Sequence, residues 1–182
     1  IIHDLREIKN EKVCAQVNEL VNLAHSEGIN EVLLWDHSLY NIDYYPERFR
    51  TGPGGTIDLD NPEFWEWLKD DYRQMLDRVS EADGLVLTFI ETGAYAERQF
   101  SKKMKSSEEK LAAVVNAISD VLIGERKKKL YIRTFAYSEE EYKGTTGCIE
   151  YLKYDEVILM MKETPHDFFL THPDNYYIQK MD

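Results

Sequence analysis

The chain has 182 residues, 43% of them hydrophobic, and a formal charge of -12 at pH 7. That length can bury one sizeable core, so one domain is expected over residues 1 to 182. The acidic balance, with a pI of about 4.9, repels phosphate backbones and argues against a nucleic-acid partner.

The short basic run from Arg126 to Lys129 precedes an apolar strand, where cations suit a helix C-terminal dipole. No apolar run approaches the roughly 18 residues of a membrane span, so no membrane partner is expected. The sequence opens at Ile1 without a signal-peptide pattern and leaves the compartment open, cytoplasmic or periplasmic. Cys14 and Cys148 lack CxxC or Cys/His ligand spacing. Buried free thiols are expected, with no metal and no cofactor.

In chain order, Val13, Val17, Leu20, Val21 and Ala24 recur at helical spacing before Gly28, which predicts a helix over 11 to 27. Glu31 to Asp36 (EVLLWD) reads as a buried strand that ends in the polar pair Asp36 and His37. Residues 38 to 60 are aromatic and rich in turn signals, and read as a long loop. Asn61 and Pro62 form a helix start, and the apolar stripe from Phe64 continues to about Ala82.

Gly84 to Ile90 (GLVLTFI) is the second predicted strand. Ser106 and Glu109 form a capping box ahead of a helix over 107 to 126. Leu130 to Phe135 follows as a third strand, and Ser138 with Glu141 opens a short or irregular helix containing Gly144 and Gly147. Glu156 to Met161 (EVILMM) is a fourth strand, and 162 to 174 reads as a loop. Trp35, Leu87, Ile132 and Leu159 are expected inside the sheet.

Alternating helices and strands imply an α/β fold with parallel pairing through right-handed crossovers. An open doubly wound sheet and part of an eight-stranded (β/α)8 TIM-type barrel both fit. The barrel, incomplete at four strand-helix units, is preferred because no Gly-rich phosphate loop follows any strand.

Both architectures put chemistry at the C-terminal strand ends. The candidates there are Asp36 and His37, then Glu91, Arg133 and Tyr137, and after the fourth strand Lys162, Glu163, His166 and Asp167. Glu91 ends an apolar run, and burial would raise its pKa as a general acid requires; capping the sheet or pairing with Arg133 are the plainer roles. Arg133, inside an apolar strand, needs a carboxylate from the protein or a ligand. Tyr40, Tyr44, Tyr45 and Phe49 suit stacking on sugar rings, and equally suit packing the loop onto the domain.

Several of these stretches resemble one family. Leu130 to Tyr137 (LYIRTFAY) resembles the Trp-Arg-x-Phe-Val-Tyr strand of the family 67 α-glucuronidases. Glu156 to Pro173 resembles that family's following strand and loop, with Lys162, Pro165, Asp167, Phe168 and Pro173 in register. Gly54 to Trp67 and Gly84 to Gly93 resemble its Gly-Gly loop and the strand ending in its acid glutamate.

The resemblance implies an inverting glycosidase acting on polysaccharide fragments. Glu91 would be its acid and Asp167 a base-side carboxylate. By the same likeness Arg133 and Lys162 would line the site; apart from the likeness, Asp36, His37, Tyr44 and His172 are further candidates to contact a carbohydrate substrate. Departures at Phe89, Ile90, Thr92, Thr171 and His172 point to a different sugar specificity. The family's second base-side glutamate has no counterpart before Asp182, so the remaining barrel strands are expected partners of this chain. A non-catalytic carbohydrate-binding relative and a metal-dependent hydrolase using Asp36, His37, Glu91 and Asp167 are the rival readings.

Overall fold

A computed structural model describes residues 11–135 and 138–162. The elements are α1 (Glu11–Ser26), β1 (Leu33–His37), α2 (Pro62–Arg78), β2 (Gly84–Thr88), α3 (Ser107–Ser119), β3 (Lys129–Arg133), α4 (Glu139–Gly147) and β4 (Ile158–Met160). The strands form one parallel sheet in the order β1-β2-β3-β4. The chain is therefore an α/β protein, and its described strands lie in sequence order without a reversal.

Local chemistry sets the helix ends. Gly28 adopts φ 87, which lets its N–H reach His25 and the Ile29 N–H reach Ala24, closing α1. Asn61 accepts from the Glu63 N–H at 3.0 Å with Pro62 in the first turn of α2. At α3, Ser106 accepts from the Glu109 N–H at 3.1 Å while Glu109 accepts from the Ser106 N–H at 3.0 Å. Beyond Ser119 the helix widens into a π turn, Asp120–Glu125, instead of running regularly to 126. Asp120 there accepts from Tyr154 at 3.0 Å and pairs with Lys69 at 3.3 Å, tying the turn to α2 and to the segment before β4.

The two sheet faces differ. Leu34, Leu85, Leu87, Leu130 and Ile132 join the core with Phe64, Leu68 and Tyr72 of α2 and Leu111, Val115 and Ile118 of α3. Side chains alternate along a strand, so Trp35, Val86, Thr88, Tyr131 and Arg133 occupy the opposite face. Leu87 and Ile132 are interior as expected. Trp35 is not: it is 38% exposed, because it stands on the first strand and on the face away from the helices. Leu159 is only partly buried against the core. Cys14 and Cys148 are buried free thiols, and burial pushes the Cys148 thiol up to about 12.

Candidate functional site

The loop after β1 is a packed structure with three 3-10 turns, Ile42–Tyr44, Glu47–Phe49 and Pro53–Gly55. Its aromatic residues point inward. Tyr45 meets Phe64 and Trp67 of α2 edge-on at 5.8 and 5.7 Å, and Phe49 meets Phe64 at 5.8 Å. Tyr44 stacks near Trp67 and donates its hydroxyl to Asp71 at 3.0 Å. These rings hold the loop on α2, the packing role that was one of the two open to them.

Asp36 is also redirected. It is 0% exposed on the helix side of β1, where its carboxylate accepts from the hydroxyls of Tyr40 and, at 2.8 Å, Tyr72. Its Oδ1 also accepts from the His37 N–H at 2.8 Å. Asp36 thus anchors the loop and α2 to the sheet, a structural post rather than a ligand-facing group.

The loop after β2 locks onto the loop after β1. Asp58 and Phe100 form a parallel bridge, and Gln99 accepts from the Ile57 N–H at 2.9 Å. A Cβ at Gly93 would lie 2.2 Å from Asn41 Oδ1, so the two loops touch there without room for a side chain. Asp60 accepts from Ser101 at 2.6 Å, and that hydrogen bond holds its carboxyl below the ordinary range. The loops after β1 and β2 are therefore cross-linked to each other.

On the face of the sheet away from the helices lies a cation-aromatic group. The Arg133 guanidinium sits 4.8 Å from the Trp35 ring centroid and 4.7 Å from that of Phe135. The Lys162 ammonium sits 4.8 Å from Phe135. The Lys162 N–H donates to Thr134 Oγ1 at 3.0 Å, which fixes the chain just past β4. Arg133 is thus stabilised in part by ring quadrupoles. His37 lies beside Thr88 in the β1–β2 register, 6.1 Å from the Tyr40 ring. The arrangement suits a planar or ring ligand bearing a negative charge.

Glu91 follows β2 by three residues and is exposed, although Phe89 and Ile90 are buried. The apolar wall expected around its carboxyl is absent. Its backbone has φ 66, a left-handed conformation that costs a residue with a Cβ about 1–2 kcal/mol. Asp167 and His172, like Tyr137, Glu163 and His166, lie outside the described residues.

The environment anticipated for Glu91 occurs instead at Glu97. Its carboxyl borders a cavity of about 350 Å³ lined by Phe89, Ile90, Leu111, Glu141 and Thr145, and burial raises its pKa. Sequence reasoning passed over Glu97 because it lies in a polar loop; its apolar neighbours come from the segment just after β2 and from α3. Among the described residues, no three or more His, Cys, Asp or Glu side chains are grouped to hold a metal ion.

The fold is that of a parallel α/β protein, with a cationic, aromatic group on one face of its sheet. The chain matches no family model, no curated protein and no solved structure.

Proposed function

We propose that this chain is part of a (β/α)8 barrel that binds and hydrolyses acidic oligosaccharides, in the manner of the α-glucuronidases its motifs resemble. The observation that carries the reading is the Trp35, Arg133, Phe135 and Lys162 group, which runs from the middle of β1 to the C-terminal ends of β3 and β4 on the face away from the helices. Sequential strand order supports the barrel, because right-handed crossovers then place successive helices on one side and leave the other face as the barrel interior. Arg133 and Lys162 would hold a sugar carboxylate, while Trp35 offers an apolar ring to the sugar.

In the inverting scheme, Glu91 protonates the leaving glycosidic oxygen and Asp167 draws a proton from water on the opposite ring face. The two carboxyls would stand about 6.5–9.5 Å apart. Glu91→Gln should cost far less with substrates whose leaving group departs without protonation, whereas Asp167→Asn should slow both kinds alike. Equal losses for the two substrates in Glu91→Gln would remove Glu91 from the acid role.

A second reading, a non-catalytic sugar-binding relative, draws on the exposure of Glu91. Saccharide binding without turnover by the complete protein would select it.

A further inference from the structure

Gly144 sits inside α4, where glycine is less stable than alanine because it loses more backbone freedom on folding. Its neighbour Gly147 has a packing reason, since a Cβ there would lie 2.9 Å from Glu108 Cγ of α3. Gly144 has no such reason: a Cβ would meet Leu111 Cδ1 at 3.5 Å and Ser107 Cβ at 3.8 Å, which are ordinary contacts. The missing methyl leaves open the cavity of about 350 Å³ that Gly144 lines together with Glu97.

The cavity lies between the loop after β2, the start of α3, and α4. Phe89, Ile90 and Leu111 give it a buried apolar side. Among the described residues that line it, three acids, Glu97, Glu140 and Glu141, are set against a single cation, Arg98, which rests over the Tyr95 ring at 4.2 Å. Lys110 of α3 is close, but its ammonium donates to the Glu97 and Gln99 carbonyl oxygens at 3.1 and 2.7 Å. Burial raises the Glu97 pKa and the charge of Glu141 adds to the rise, while Arg98 and Lys110 offset it only in part. An ionised Glu97 is therefore stabilised further by a positive charge that a ligand brings. Arg98, Ser138 and Glu140 are exposed, so the cavity is open to solvent along their side.

We propose that this cavity binds a small organic ammonium ion, its charge between Glu97 and Glu141 and its apolar body against Phe89, Ile90 and Leu111. An apolar recess with a few converging polar groups is the usual form of a small-molecule site, and a partly desolvated carboxylate makes a strong charge-assisted hydrogen bond to an ammonium. Gly144 keeps the space for the ligand body at the expense of helix stability. The cavity is on the helix side of the sheet, opposite the Trp35 and Arg133 group, so it stands independently of the sugar reading.

The test is calorimetric titration of the wild-type chain, Glu97→Gln and Gly144→Ala with benzylammonium, benzyl alcohol and benzoate, alongside thermal unfolding of unliganded wild type and Gly144→Ala. Benzylammonium should bind the wild type about ten-fold more tightly than the neutral and anionic compounds of the same shape. Glu97→Gln keeps the shape and removes the charge, and should weaken benzylammonium binding about ten-fold. Gly144→Ala should melt at or above the wild-type temperature and weaken binding about five-fold, because its methyl enters the cavity. Failure of benzylammonium to bind, or equal binding of benzyl alcohol or benzoate, overturns the assignment. Undiminished binding in Glu97→Gln or Gly144→Ala places the ammonium elsewhere and overturns it too. A lower melting temperature in Gly144→Ala shows that packing explains the glycine, and likewise overturns the inference.

Discussion

Tyr72 of α2 donates its hydroxyl to the fully buried carboxylate of Asp36 at the end of β1, across 2.8 Å and 36 residues of sequence. Tyr40 serves the same carboxylate from the loop between them. A buried carboxylate depends on its donors, so Tyr72→Phe should lower stability by about 2 kcal/mol. Asp36→Ala should cost more, because it strands both hydroxyls. Urea unfolding of the two variants checks the order; equal stability of Tyr72→Phe and wild type would remove Asp36 as an anchor.

Gly84 opens β2 against β3, and a Cβ there would lie 2.1 Å from the Lys129 carbonyl oxygen. Backbone cannot yield as a side chain does. Gly84→Ala should therefore destabilise the chain by about 3 kcal/mol or push β2 away from β3. Thermal unfolding within a degree or two of wild type would contradict that contact.

Glu91 combines strain with exposure. Glu91→Gly relieves the left-handed backbone and should raise stability by about 1 kcal/mol. If Glu91 is the acid, the same substitution abolishes hydrolysis of natural glycosides. A more stable, inactive variant is the expected pair of results, and a destabilised one would show that the Glu91 side chain supports the loop.

Glu97 makes a pH prediction. Its folded-state pKa is raised by burial above the ordinary value, so the folded state holds its proton more tightly than the unfolded chain. The contribution to stability is complete below the unfolded pKa and is lost as pH rises through the folded one. Glu97→Gln should therefore gain stability over wild type near pH 7 and show little gain near pH 4. Unfolding midpoints at the two pH values measure this; a gain that is the same at both would place its cause elsewhere than in the proton.

Helix starts and the alternation of helices and strands along the chain were legible because their signals are local. Asn61 with Pro62, the Ser106 and Glu109 box, and Gly28 each act within a few residues, and each does so in the fold. Apolar runs separated by such helices were enough to indicate parallel pairing.

The sides of the sheet were not legible. EVLLWD is apolar at consecutive positions, and alternation says only that Trp35 and Asp36 point apart. Packing of α2 decided that the acid turns inward, where Tyr72 meets it, and that the indole turns out beneath Arg133. The carboxyl environments were equally hidden. Desolvation depends on neighbours far along the chain, so the protected acid is Glu97, walled by Leu111 of α3 and facing Glu141 of α4, while Glu91 beside two buried apolar residues stands in solvent. The sequence by itself determined the elements and their order, because propensity and capping are short-range. Only tertiary structure decided which side chains share a face, because covering a surface requires partners that local pattern does not specify.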